Sequence, residues 1–244
     1  MDSFKDAART NTALLAAAER RALISLAERM PAWITSDHLT GLGLFSMLMV
    51  GVSYGVSRWA PLALWWVVVW LALNWFGDSL DGTVARVRRQ PRPRYGFYVD
   101  HVFDSFGAIF VLGGLALSGW MTPLVAAAVL VAYFLLSIEI YLATYCVGRF
   151  EMSHWGLGPT ELRIVLAIGT LMLFVKPMVT IAGRQFPLFD VGGIVAAIGM
   201  AITAIAATVR HVRTLYRAEP LMPRLSVQAL HDVADDVLRV AKEH

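Results

Sequence analysis

With 57% hydrophobic and only 16% charged side chains among its 244 residues, and a mean hydropathy of +0.60, the chain is too apolar for an ordinary soluble domain. A net charge of +3 is too small to point to a nucleic-acid partner. The single cysteine, Cys146, excludes both an intramolecular disulfide framework and a multi-cysteine zinc site, and a free buried thiol is the expectation for it.

Residues 1–38 do not form a signal peptide, because Asp2, Lys5, Asp6, Arg9, Glu19, Arg20, Arg21, Glu28 and Arg29 interrupt any apolar core. Leu15, Ala18, Ala22, Leu26 and Met30 still recur at helical intervals. They describe a helix lying on the membrane surface with its arginines toward anionic headgroups, or equally one packed on the protein body. Pro31 ends it, and the turn from Ile34 to Thr40 offers Thr35, Ser36 or Asp37 as N-cap of the next helix.

Six apolar runs follow, at 39–57, 61–80, 97–118, 122–147, 159–176 and 189–209. Each approaches or exceeds the roughly 17–25 residues that cross a bilayer. The predicted architecture is an all-α integral membrane protein with six transmembrane helices across 39–217, preceded by the 1–38 segment and followed by a cytoplasmic amphipathic helix at 218–244. Basic residues orient it: the N-terminal arm, Arg88, Arg89, Arg92 and Arg94, Arg149, and the tail with Arg210, Arg213 and Arg217 share one side, while the other holds Arg58, Lys176 and Arg184. Both termini are then cytoplasmic.

The chemistry concentrates between Asp78 and Asp104, in D-S-L-D-G-T-V-A-R, a basic linker, and G-F-Y-V-D-H-V-F-D. Asp78 and Asp81 are three residues apart, and Asp100 and Asp104 four apart, so each pair projects from one face of its own helix. Carboxylates at the edge of apolar runs need a counter-charge, and a divalent cation is the obvious one. Oxygen-only ligation by Asp78, Asp81, Asp100 and Asp104 suits Mg²⁺ or Mn²⁺ rather than zinc. Gly82 and Ala85 leave room for a ligand to approach, and Arg86 supplies a phosphate partner.

Asp78, Asp81, Gly82, Ala85, Arg86, Gly96, Asp100 and Asp104 match in order and spacing the signature D-x2-D-G-x2-A-R, gap, G-x3-D-x3-D, and by it the chain resembles the CDP-alcohol phosphotransferase family. The resemblance implies a membrane enzyme of phospholipid biosynthesis, moving a substituted phosphate from a CDP-linked alcohol to the hydroxyl of an acceptor alcohol with release of CMP. It implies two metal ions on Asp78, Asp81, Asp100 and Asp104, with Asp104 also the candidate general base. Gly82, Ala85, Arg86 and Gly96 would then meet the CDP pyrophosphate. CDP-diacylglycerol with a small polar acceptor is the donor of most bacterial-looking members, which places the chain in a bacterial inner membrane, and a homodimer is expected. A second branch moves phosphocholine or phosphoethanolamine from CDP-choline or CDP-ethanolamine to diacylglycerol, and His101, directly after Asp100, is reminiscent of it.

Outside the signature, Glu139 in the fourth run is either a functional carboxyl or one paired for structural reasons. Tyr141, Thr144 and Tyr145 could line an acceptor pocket, although membrane aromatics more often pack or anchor. Thr160 or a neighbour caps the fifth run, where Glu161 favours the helix dipole and Arg163 opposes it, making Arg163 a candidate phosphate contact. Trp65, Trp66, Trp70 and Trp75 read as lipid-facing or belt residues. Gly192, Gly193, Ala196, Ala197 and Gly199 suit close helix packing or a dimer face. In the tail, Val227, Leu230, Val233, Val237 and Val240 lie opposite Asp232, Asp235, Asp236 and Arg239. A small transporter with intramembrane carboxylates is the remote alternative, but a conduction path has no use for Gly82, Ala85 and Arg86 at those offsets.

Overall fold

The computed structural model describes residues 8–10, 16–147, 149–151 and 158–219, with side chains from residue 21 onward except those of 148–157. The tail's apolar stripe at Val227–Val240 lies outside the described residues, as do Leu15 and Pro220. The chain divides into a unit of residues 1–208 and a second of residues 209–244, whose described part is the end of one helix.

The elements run β1 (Ala8–Thr10), α1 (Ala16–Arg29), α2 (Ser36–Ser57), α3 (Ala63–Val87), α4 (Pro93–Ser118), α5 (Pro123–Val147), β2 (Arg149–Glu151), α6 (Pro159–Met172), β3 (Met178–Ile181), β4 (Arg184–Pro187) and α7 (Leu188–Ala218). Among the described residues, five helices, α2, α3, α4, α5 and α7, are long and apolar enough to cross a membrane. The chain is thus a multi-pass helical membrane protein.

The fifth predicted run behaves differently. Helix α6 has only 14 residues, a rise of about 21 Å against the roughly 30 Å of a hydrocarbon core. It tightens after Met172 into turns in which Leu173 and Phe174 donate to Thr170 and Leu171, three residues back, and Pro177 then forbids continuation. The chain returns through the β3–β4 hairpin, whose turn residues Ala182 and Gly183 both have positive φ, as a two-residue hairpin turn requires.

Several helix ends follow from their residues. Thr35 is the N-cap of α2: its hydroxyl accepts from the His38 amide at 3.4 Å, and the His38 ring accepts from the Thr35 amide at 3.2 Å. Pro93 starts α4, and Gly119, with φ 83°, ends it. Gly158, not Thr160, caps α6, and Glu161 folds back to accept from the Gly158 amide at 3.0 Å. At the end of α3, Gln90 donates to Ala85 and Arg89 to Arg86, a closing motif that places Arg89 at φ 56°, where glycine is the usual occupant.

Helix α2 lies between α3 and α4 at two close crossings. A Cβ on Gly77 would come within 2.6 Å of the Leu39 carbonyl, and one on Gly114 within 2.2 Å of the Gly51 carbonyl, so only glycine permits these backbones to meet. Val50, Tyr54, Leu64, Val67, Leu71, Val111 and Leu115 fill the core between the crossings and the α2–α3 turn. A second cluster joins α1 to the opposite ends of α2 and α3, with Leu23 and Ala27 buried against Leu39, Leu80 and Val84. Ala22 and Leu26, expected on the apolar face of α1, are exposed instead; the buried stripe is shifted by one residue because packing on the body selects it. Arg88 fixes the same corner, donating to the carbonyls of Met30, Pro31 and Ile34 at 2.6 to 3.1 Å.

Other expectations resolve individually. Cys146 is exposed rather than buried, on the surface of α5 beside the exposed Tyr145. Trp65 and Trp66 face outward, but Trp70 packs on the core edge-on to Phe45, and Trp75 packs on the α1 cluster. On α7, Gly193 abuts Met121 and Val125, while Gly192 and Gly199 face open space.

Candidate active site

The α2–α3 crossing at Gly43 and Gly77 lies one residue from Asp78 and one turn from Asp81. It delivers Thr40 of α2 to the α3 carboxylates, and the Thr40 hydroxyl donates to Asp81 Oδ2 at 2.8 Å while the adjacent Gly82 amide donates to Oδ1. Asp81 is buried, and these two donors satisfy one carboxyl oxygen each.

Asp78, a turn earlier, is held from another direction. Arg163 reaches across from the second turn of α6, pairing its Nη2 with Asp78 Oδ2 and donating from Nε to Asn74 Oδ1 at 2.6 Å. Asn74 is buried and its Nδ2 donates to the Gly43 carbonyl at 2.9 Å, so the network runs α2, α3, α6. The expected phosphate contact at Arg163 is therefore, in this arrangement, a partner of two α3 side chains.

Asp100 and Asp104 face these groups from α4. A small cavity of about 20 Å³ is lined by Thr40, Asn74, Asp78, Asp100 and Asp104. A larger one of about 430 Å³, within the range of small-molecule sites, is lined by Asp81, Gly82, Ala85, Arg86, Gly96 and Asp100, and by Ser36, Asp37 and Thr40 of the α2 entry turn. Thr40 and Asp100 belong to both walls. Asp81 is repelled by Asp100 and Asp78, and Asp104 by Asp78, Asp100 and Asp81, while Arg163 attracts Asp104. All eight signature positions thus line one of two adjoining cavities.

Within the larger cavity, the space beside Gly82 is occupied by the Arg86 guanidinium, which a Cβ would meet at 3.2 Å and which donates to Thr83 at 3.1 Å. A Cβ on Gly96, by contrast, would meet nothing within 4 Å. Arg92 of the α3–α4 loop pairs with Asp37 at the mouth and covers the Tyr95 ring at 4.2 Å. Thr144 lines this cavity, whereas Glu139, Tyr145 and His101 line neither; the His101 ring lies against Phe97 and Tyr141 at 4.1 and 4.6 Å.

Sequence reasoning missed Thr40 as a ligand of Asp81, Asn74 as the anchor of Arg163, and the Asp37–Arg92 pair. Asn74 carried a signal: a lone amide within an apolar span, four residues before Asp78, is costly unless it binds something.

A divalent cation fits the donor chemistry. Four carboxylates, oxygen ligands only, line adjoining walls and repel one another, which a hard cation relieves. Among the described residues, no three acidic, imidazole or thiol groups form a closed ligand cluster, in keeping with Asp78 and Asp81 being engaged by Arg163 and Thr40.

A multi-pass helical protein with carboxylates and arginines gathered around a ligand-sized cavity is a membrane enzyme acting on a phosphorylated compound. Residues 28–209 match the family described as CDP-alcohol phosphatidyltransferase, and the chain belongs to that family. It is accordingly a transferase of substituted phosphate groups, acting between a CDP-alcohol and an alcohol, in a family generally dependent on divalent metal. No curated protein matches the chain.

Proposed function

We propose that the protein transfers a phosphatidyl group from CDP-diacylglycerol to the hydroxyl of a small polar acceptor, releasing CMP, at the cytoplasmic ends of α3 and α4. The observation that carries this reading is Asp104, which stands open to the cavity one helical turn beyond Asp100 rather than being tied to a neighbouring donor as Asp81 is. Asp104 takes the proton of the acceptor hydroxyl as its oxygen forms a bond to the donor phosphorus and the bond to the CMP oxygen breaks. Arg86 donates to the pyrophosphate, and the open side of Gly96 and the Ala85 wall admit the nucleotide. Asp78, Asp81, Asp100 and Asp104 would hold two Mg²⁺ or Mn²⁺ ions, which supply charge neutralisation on the phosphates.

Arg88, Arg89, Arg92 and Arg94 at the α3–α4 loop support a cytoplasmic site and cytoplasmic termini. The exposed α7 face with Gly192, Val195, Gly199 and Ile202 supports pairing of two chains. The test is CMP release by purified protein with Mg²⁺ or Mn²⁺. Release with CDP-diacylglycerol and pooled polar alcohols is expected; release only with CDP-choline or CDP-ethanolamine and diacylglycerol would replace this reading by the amino-alcohol branch.

A further inference from the structure

We infer that Arg163 is a built-in competitor for the metal at Asp78, so that a divalent cation binds by displacing the guanidinium from that carboxylate. The inference rests on the reading of Asp78 as a metal ligand. The geometry behind it is the fork of Arg163: Nε is fixed by Asn74 and Nη2 by Asp78, two α3 residues one turn apart, with Asn74 itself anchored on the Gly43 carbonyl. The Arg163 side chain is only 15% exposed, so its charge is poorly screened by water. A cation drawn to the same carboxylate meets both the loss of a charge-assisted hydrogen bond and repulsion from the guanidinium it displaces.

The alternative for such an arginine is an outer partner that orients the ligand and strengthens metal binding. Charge decides against it. A neutral outer donor would add no repulsion, whereas here a full positive charge lies on Oδ2 of a carboxylate that shares a cavity wall with Asp100 and Asp104. Displacement also frees the guanidinium beside the small cavity, where it becomes available to a phosphate oxygen. The two roles readable for Arg163, carboxylate partner and phosphate contact, then follow one another. Because Arg163 is carried on the short α6, metal binding at Asp78 loosens the tie between α6 and α3.

The experiment is a Mn²⁺ titration of detergent-purified full-length protein without substrate, free Mn²⁺ being read by electron paramagnetic resonance. Arg163→Gln is expected to bind about tenfold more tightly than wild type, the size of one lost charge-assisted hydrogen bond. Arg163→Lys keeps the charge but cannot span Asn74 and Asp78 together, and is expected between the two, about threefold tighter than wild type. Equal or weaker binding in both variants would overturn the competitor role while leaving Asp78 as a ligand. Wild-type affinity in the lysine variant with tighter binding in the glutamine variant would support the competitor role and assign it to charge rather than to the fork. Wild-type protein that binds no Mn²⁺ would overturn the metal reading itself, and this inference with it.

Discussion

Two sets of polar groups between helices divide the bundle, one at each end of α2. Toward the α2–α3 turn, Tyr54 shares a hydrogen bond with Thr170 at 2.5 Å, Trp120 donates to Ser57 at 2.8 Å, and Asp190 accepts from the amide and hydroxyl of Thr122. Every member of that set is answered by another, and apolar core surrounds Tyr54. At the opposite end, Arg163 holds Asp78 and Thr40 holds Asp81, and all four carboxylates, Asp78, Asp81, Asp100 and Asp104, also line cavities. The first arrangement pins helices together in a solvent that offers no hydrogen bonds. The second gathers four carboxylates on the walls of adjoining cavities, an arrangement suited to a cationic ligand.

The sharpest way to break this contrast is to treat one carboxylate from each set alike. Asp104→Asn is expected to lower CMP release by two orders of magnitude or more, about the value of a general base, while CDP binding by calorimetry persists. Loss of CDP binding together with turnover would make Asp104 chiefly a holder of metal and donor rather than the base, and loss of thermal stability as well would make it a structural group like Asp190. Asp190→Ala should do the reverse: two Thr122 donors lose their acceptor, thermal unfolding reports a loss of about 2–3 kcal/mol, and donor KM stays unchanged.

Thr40→Val tests the border between the sets, since Thr40 is answered like Tyr54 yet faces the cavity. Removing its hydroxyl should reduce kcat/KM about tenfold with the melting temperature nearly constant, and a change in stability alone would assign it to the pinning set. The smallest effect is expected at Arg89, just outside both sets. Its left-handed conformation costs an L-residue about 1 kcal/mol, so Arg89→Gly should raise stability by about 0.5–1 kcal/mol in denaturant unfolding, with activity unaltered.

Much of the site was legible because the aspartates carry their spacing with them: Asp78 with Asp81 and Asp100 with Asp104 share helix faces whatever the helices pack against. Arg163, by contrast, was recognisable only as a cation in an awkward place, near a helix start, because nothing along the chain states that α6 meets α3 at Asn74 and Asp78, 89 and 85 residues away. On α1, likewise, the body takes Leu23 and Ala27 rather than Ala22 and Leu26, while Met30 of the expected face packs on the same cluster. Periodicity identifies several acceptable stripes, and contact with Leu39, Leu80 and Val84 selects Leu23 and Ala27.

By itself the sequence determined the membrane class, through its long apolar runs, and the family, through eight residues at fixed offsets. Only the tertiary structure decided that α6 is a helix of 14 residues, that Thr40 holds Asp81, and that Arg163 holds Asp78. The physical reason is the helix crossing. Periodicity defines the faces of one helix, but the depth and angle at which two helices meet are fixed by the absence of side chains at Gly51, Gly77 and Gly114, and that reveals its consequence only when the backbones are in contact.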